Sequence, residues 1–240
     1  MRELVTSHPC ACSAEEFWAL REDLEWDHYN AGLDGQIFST LKHELIMDEE
    51  RGEAKVHRSH QLKAKVNPIP KAIRSILGAG DFIVTVHAQW YKRLYSKADA
   101  MTLRVQTPLF TERIHIHGEQ WTEAVDAHNC VLKTRMTISV KVPGPGIGPK
   151  IEKGTEKGMR EAYADQPRRV VEFLRLRAAS GRPYPDPFKT LPAPLPSLGS
   201  FSLPTAESAA GDVSHSAAVA AAILVPSSPL RSVPPSPYLH

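Results

Sequence analysis

The sequence has few cysteines, and their number and spacing exclude two kinds of small stabilised domain. Cys10, Cys12 and Cys130 are the only cysteines among 240 residues. Three is an odd number, and the spacing matches neither a disulfide framework nor the paired ligands of a zinc cluster. We therefore expect a reducing, cytoplasmic compartment, with no metal ion and no other cofactor.

Strong net charge and long apolar runs are also missing. The chain has 29 Lys and Arg against 27 Asp and Glu, a net charge of +2, so no nucleic-acid partner is expected. No stretch approaches the ~18 apolar residues of a membrane span, and the N-terminus has no signal-peptide core. These absences predict a soluble protein with no transmembrane segment, and they leave transient membrane contact open.

The last quarter of the chain is rich in proline and serine. Residues 178–240 hold 12 of the 20 prolines and 11 serines, which predicts a disordered tail. Its apolar patch at 217–225 is either an inert linker or a short docking segment. The proline motifs at 191–196 and 234–237 suit SH3 or WW domains, so one hypothesis is an adaptor whose tail binds protein partners.

The first 177 residues show ordered secondary-structure patterns. Ser13 and Glu16 form a capping box that predicts a helix over 14–24, after an N-terminal extension at 1–12. A short helix is predicted over 71–77, and a long C-terminal helix from Pro149 to Arg177, interrupted or kinked at Pro167. Alternating apolar and polar residues predict six strands, at 36–46, 53–66, 81–94, 100–106, 109–123 and 128–142.

Three motifs accompany this order of elements. Residues 138–153 read ISVKVPGPGIGPKIEK, Asn67-Pro68-Ile69-Pro70 precedes the short helix, and Gln89-Trp90 lies in the following strand. With these motifs the sequence resembles the START-like (SRPBCC, helix-grip) superfamily, most closely one of its families of unknown function. The resemblance covers residues 13–177. It implies an α+β fold in which a curved antiparallel sheet wraps a long C-terminal helix and encloses a cavity.

The resemblance implies a non-enzymatic binding or carrier protein for a hydrophobic or amphipathic small molecule, such as a lipid. Superfamily members also include polyketide cyclases and aromatases, so an enzyme is an alternative, although no catalytic residue can be assigned. Acidic pairs for acid–base catalysis are absent from the predicted inward faces. His115 and His117 form an H-x-H pair that we expect to face solvent, so no metal site is assigned to them.

The predicted ligand-binding residues share the inward faces of the strands and of the long helix. Arg58, His60 and His43 would bind the polar end of the ligand, and Trp90 would supply flat apolar area. The alternative is a misread register, in which Arg58 and its basic neighbours form a solvated face. The full predicted set is Leu41, His43, Arg58, His60, Val86, Trp90, Leu103, Ile116, Leu132, Met136, Met159 and Tyr163.

Overall fold

The computed structural model describes residues 1–67, 80–142 and 146–181. Its strands are β1 (Arg2–Cys10), β2 (Gln36–Asp48), β3 (Glu53–Ala64), β4 (Ile83–Tyr91), β5 (Met101–Gln106), β6 (Ile114–Ala124) and β7 (Cys130–Val140). Its α-helices are α1 (Ala14–Ala19), α2 (Leu24–Leu33) and α3 (Ile147–Ala179). A 3-10 turn, Leu20–Glu22, lies between α1 and α2.

The seven strands form one antiparallel sheet in the order β1-β7-β6-β5-β4-β3-β2. Helix α3 packs on β1 and β7, and α2 packs on β2. All six predicted strands are present, because period-2 alternation is the signature of a sheet with one covered face. The predicted α+β helix-grip architecture is confirmed.

The predicted capping box is present at the start of α1. Ser13 Oγ accepts from the backbone N–H of Glu16 at 3.1 Å, and the Glu16 carboxylate accepts from the backbone N–H of Ser13 at 2.9 Å. The predicted helix, however, ends early. It passes through the 3-10 turn into a second helix, α2, which is capped by the Asp23 carboxylate and was not predicted.

Strand β1 was not predicted either. It lies at one edge of the sheet and pairs along its whole length with β7, from Arg2 opposite Ile138 to Cys10 opposite Cys130. Residues 1–12, predicted to be an N-terminal extension, therefore contribute a strand to the sheet.

Helix α3 is continuous across Pro167 from Ile147 to Ala179. Of the two expectations at Pro167, an interruption or a kink, the interruption is wrong, because a single missing amide donor can be tolerated in a helix held by tertiary packing. Pro167 itself is buried, and Val170 and Phe173 follow it on the packed side.

Two apolar clusters join the sheet to α3. One joins Leu4 of β1 and Met136 of β7 to Ile151 near the start of α3. The other joins α1, α2 and the far part of α3, and it includes Phe17, Trp26 and the three cysteines.

Two predicted segments fall outside the described residues: the short helix over 71–77 and the tail beyond residue 181. No helix in the described part of the chain is both long enough and apolar enough to cross a membrane.

Candidate functional site

A cavity of about 100 Å³ lies between the middle of the sheet, the α1–α2 segment and α3. Strands β3, β4 and β5 form its floor, because alternate residues of each strand point to the covered face. The lining residues are Phe17, Leu20, Arg21, Trp26, Asp27, Arg58, His60, Val86, Ala88, Trp90, Met101, Leu103, Gln166 and Val170. The cavity thus has a mostly apolar wall and one charged wall.

Arg58 and Asp27 form the centre of the charged wall. Arg58 Nη1 donates to Asp27 Oδ2 at 2.7 Å and Nη2 donates to Oδ1 at 3.3 Å, a two-bond pair whose side chains are 8% and 12% exposed. Arg58 Nη1 also donates to the backbone oxygen of Arg21 at 2.9 Å. Burial raises the pKa of Asp27 to about 6, although Arg58 opposes that shift. The inward placement of Arg58 rules out a solvated face at this position.

Arg21 is a second guanidinium on the same wall. Its Nη2 donates to Gln120 Oε1 at 2.6 Å, and its guanidinium carbon lies 4.2 Å from the ring centre of Trp18. Desolvation, together with the neighbouring charge of Arg58, lowers the pKa of Arg21 to about 9. Two arginines therefore face two buried acids, Asp27 and Glu22.

Glu22 connects Trp90 with His43 at the rim of the charged wall. Trp90 Nε1 donates to Glu22 Oε1 at 3.0 Å, while His43 Nε2 lies 3.9 Å from Glu22 Oε2, too far for a hydrogen bond. Burial raises the pKa of Glu22. Burial, and then Arg58, lowers the pKa of His43 to about 4, so this imidazole is neutral near pH 7.

His60 lines the cavity two residues after Arg58 on β3. Burial, and then the positive charge of Arg58, lowers the pKa of His60 to about 3. Its ring centre lies 5.0 Å from that of Phe38. A neutral imidazole can donate from one nitrogen and accept at the other, so His60 can serve either kind of ligand group.

Several buried polar atoms around the cavity lack a partner. Arg21 Nε, Arg58 Nε and His60 Nδ1 have no hydrogen-bond partner among the described residues, and neither do Glu22 Oε2 and His43 Nε2. Each unsatisfied buried group costs about 1–3 kcal/mol, so the three such atoms on the cavity-lining residues Arg21, Arg58 and His60 need an explanation. A bound polar group would supply the missing partners.

The profile of a protein family, described as "Protein of unknown function (DUF2505)", matches residues 6–174. The chain belongs to the DUF2505 family. No curated protein matches this DUF2505 chain.

Three solved structures resemble this DUF2505 member at low identity. The Zhui aromatase/cyclase of Streptomyces sp. R1128 is 15% identical, and the match covers 75% of this chain and 98% of that chain with a TM-score of 0.45. A START superfamily protein of Mycobacterium smegmatis is 10% identical, with coverages of 74% and 97% and a TM-score of 0.37. Dicamba monooxygenase bound to 3,6-dichlorosalicylic acid is 14% identical, with coverages of 82% and 54% and a TM-score of 0.49. The chain thus spans about half the length of the monooxygenase. Likeness at this level supports no inference about activity.

Five of the twelve predicted ligand-binding residues line the cavity of this DUF2505 domain: Arg58, His60, Val86, Trp90 and Leu103. His43 lies behind them, against Glu22. The other six lie elsewhere. Ile116, Met136, Met159 and Tyr163 belong to the apolar cluster at the start of α3, Leu132 belongs to the cluster with the cysteines, and Leu41 is exposed.

Leu41 is displaced from the predicted face by an irregularity in β2. The register between β2 and β3 shifts between Thr40 and Lys42, so Leu41 is the extra residue and is 55% exposed. A bulge exchanges the faces of the residues on either side of it. Phe38 therefore faces inward before the bulge and His43 after it, which simple alternation along the strand could not show.

The cavity residues that come from helices were not predicted from the sequence. Arg21 and Asp27 lie on the α1–α2 segment, and Gln166 lies on α3. One signal was available: Asp23 is a good N-cap residue, and Glu25 and Asp27 place acids in a first helical turn. Reading that signal would have predicted α2, although not which of its faces meets Arg58.

Proposed function

We propose that this domain binds a compact amphipathic small molecule in the cavity between the sheet and α3, without catalysing a reaction. The supporting observation is the cluster of unpartnered N–H and imidazole groups on one wall of an otherwise apolar cavity. Ligand sites commonly combine an apolar lining with a few convergent polar groups.

The volume limits the size of the ligand. Pockets for drug-sized molecules measure about 300–1,000 Å³, and a cavity of roughly 150 Å³ holds benzene. A cavity of about 100 Å³ therefore suits a molecule of a few heavy atoms, or a somewhat larger one if the wall yields slightly. A whole lipid would require a much wider opening. We therefore infer a short-chain ligand, or a single-ring ligand for which the cavity wall moves outward.

The charged wall specifies the polar end of the ligand. Arg21 Nε and Arg58 Nε can only donate, so they require an acceptor oxygen such as a carboxylate, phenolate or carbonyl. Arg58 is already neutralised by Asp27. Arg21 instead donates to the neutral amide of Gln120 and forms no ion pair among the described residues, so its guanidinium favours an anionic acceptor. We infer that the ligand is a small carboxylate or a phenolate.

The test measures thermal stabilisation of the full chain by benzoate, hexanoate and oleate, with native mass spectrometry of the same samples. Saturable stabilisation and a 1:1 adduct with the two compact acids, and a weaker effect of oleate, are expected. If none of the three acids stabilises the protein and native spectra show no adduct, the proposal fails.

Matched variants locate the binding. His60→Ala and His57→Ala make the same change three residues apart and on opposite faces of β3, and only His60 lines the cavity. Arg58→Lys and Arg104→Lys form a second pair, with Arg104 exposed on β5. The His60 and Arg58 variants should bind the compact acids at least about tenfold more weakly, because losing one hydrogen bond to a charged group has an effect of that size. Equal loss in a control would place the ligand elsewhere.

A second candidate function is acid–base catalysis, which Asp27 favours. Its pKa of about 6 lies near neutrality at the edge of a cavity, and Arg58 orients its carboxylate. An active Asp27 base should exchange the α-hydrogens of a compact ketone such as phenylacetone for deuterium in D₂O, observed by NMR. Asp27→Asn should abolish that exchange. If the wild-type protein exchanges these hydrogens only at the uncatalysed rate, the catalytic function is contradicted and ligand binding remains the proposed function.

A further inference from the structure

The three cysteines lie together in the structure, although Cys130 is more than 100 residues from Cys10 and Cys12 along the chain. Their three Sγ atoms are all within 4.8 Å of one another, and Cys10 Sγ is 3.5 Å from Cys12 Sγ. The side chains are 3%, 5% and 1% exposed, for Cys10, Cys12 and Cys130 respectively. Among the described residues this is the one group of three or more potential metal ligands whose donor atoms converge.

Backbone structure sets this arrangement. Cys10 is the last residue of β1 and lies directly opposite Cys130, the first residue of β7. Cys12 follows two residues later, just before the capped start of α1 at Ser13. Strand pairing therefore brings Cys130 to the C-x-C segment, which is why spacing along the sequence gave no sign of a site.

The spacing suits a single metal ion. Zinc–thiolate bonds are about 2.3 Å long, so three sulfurs around one ion lie roughly 3.8–4.0 Å apart. The Cys10–Cys12 sulfur distance is 3.5 Å and no sulfur–sulfur distance exceeds 4.8 Å, so small rotamer changes would bring all three to that spacing. We propose that Cys10, Cys12 and Cys130 bind one thiophilic metal ion, of the Cu⁺ or Zn²⁺ class, as three thiolates.

Thiolate donors select this class of ion. Soft sulfur ligands favour Cu⁺ and Zn²⁺ over hard cations such as Mg²⁺ and Ca²⁺, which prefer oxygen. Binding releases up to three thiol protons to solvent and changes no oxidation state. Because Phe17, Trp26 and Phe173 pack around the cysteines, the apolar surroundings would exclude competing water ligands.

A surface groove lies beside the cluster. Pro9 and Ala11, the residues that alternate with Cys10 and Cys12, line it together with Pro167, Arg168 and Val171 of α3. Cys10 Sγ donates to the backbone oxygen of Pro167 at 3.8 Å, so this thiol is bonded to a residue of the groove wall. The three sulfurs themselves are buried, so we expect metal binding to need a local opening of this wall.

The test titrates the full chain, reduced by a phosphine under argon, with Cu⁺ against bicinchoninate and with Zn²⁺ against a zinc indicator dye. One equivalent should be withdrawn from at least one competitor, with sulfur-to-metal charge-transfer absorption for Cu⁺. The two arms identify the ion. Failure to compete in both arms would overturn the proposal, since three cysteine side chains that already lie together should bind these ions more tightly than the indicators do.

Variants separate the site from adventitious binding. Cys12→Ser and Cys130→Ser should each weaken binding by at least about tenfold, since even outer-shell changes cost that much. Cys12 lies outside the strands, so Cys12→Ser should keep the fold, checked by circular dichroism. The control is His115→Ala with His117→Ala, at the H-x-H pair on β6. Unchanged binding in Cys12→Ser, or equal loss in the histidine control, contradicts the assignment.

Discussion

The two halves of the covered sheet face differ in what they bury. Strands β1, β7 and β6 pack against the start of α3 through apolar side chains such as Leu4, Met136, Ile138 and Ile151, each at most 1% exposed. Strands β3, β4 and β5 instead face a cavity that holds the Arg58–Asp27 pair. The first half is a closed apolar core. In the second half, a cavity and a buried ion pair lie where further apolar side chains could have packed.

This division shows where sequence patterns mislead. An apolar residue on an inward face is as compatible with core packing as with a ligand site, and Ile116 and Met136 are core. The buried ion pair of Arg58 and Asp27 marks the other half, as expected where a protein departs from optimal packing for function. Substitutions that act on the two halves separately test this reading.

The largest effect is expected at Asp27. Asp27→Ala leaves the Arg58 guanidinium buried without its partner, which should lower the free energy of unfolding by about 3–5 kcal/mol. Urea unfolding at pH 7.5 measures the loss. The matched control is Glu172→Ala on α3, whose partner Arg175 is 66% exposed, and it should cost less than about 1 kcal/mol.

A double variant completes that test. Asp27→Leu with Arg58→Met replaces both charges by apolar groups, so it should recover most of the stability lost in Asp27→Ala. If the double variant were as unstable as the single one, the loss would come from packing around α2, and the ion pair would not be its cause.

In the closed half, Met136→Ala should cost about 2–5 kcal/mol, because Met136 is fully buried and its neighbours cannot collapse into the space. Leu103→Ala at the cavity should cost less, since part of that side chain already faces empty volume. Urea unfolding of both variants provides the comparison. Equal losses would mean that the cavity wall is packed as tightly as the closed half.

Gly118 shows how closely the closed half is packed. A Cβ atom at this position would collide with the backbone oxygen of Arg135 and the sulfur of Met136 on the neighbouring strand. No side chain fits between β6 and β7 there, whereas the cavity half leaves about 100 Å³ unfilled. The contrast is therefore visible in the backbone as well as in the choice of side chains.

Much of the sheet could be predicted from the sequence, because alternation fixes which residues of a strand share a face. The same rule found Arg58, His60 and Trp90. It could not find Arg21 or Asp27, since the docking of α1 and α2 on the sheet is a long-range contact that no local period encodes. Strand β1 was missed for a related reason, because its pairing with β7 joins residues more than 100 positions apart.

The bulge in β2 and the cysteine cluster were also beyond sequence reasoning. A single extra residue at Leu41 reverses the faces along β2, and nothing in the alternation marks it. The cysteines meet only once the register of β1 against β7 is known. In both cases chemistry depends on register, which short-range patterns leave undetermined.

The smallest expected effect concerns pH and the cavity half alone. Because the pKa of His60 is lowered from 6.5 to about 3, the unfolded chain binds a proton below pH 6.5 that the folded protein does not. The free energy of unfolding therefore decreases as pH falls from 6.5 towards 3, because protonation of His60 favours the unfolded chain. His60→Gln should remove about 2 kcal/mol of the loss in stability between pH 8 and pH 5.

Neighbouring groups also titrate in this range. The prediction therefore concerns the difference in free energy of unfolding between the wild-type protein and the His60→Gln variant. His43, with a pKa near 4, acts in the same direction as His60, whereas the raised pKa of Asp27 favours the folded state on acidification. Urea unfolding at pH 8, 6.5 and 5 measures both curves, with His57→Gln as the control on the opposite face of β3. Because the His60→Gln curve should be flatter than the wild-type curve, parallel curves would mean that His60 is hydrated, and the cavity would then be open to water.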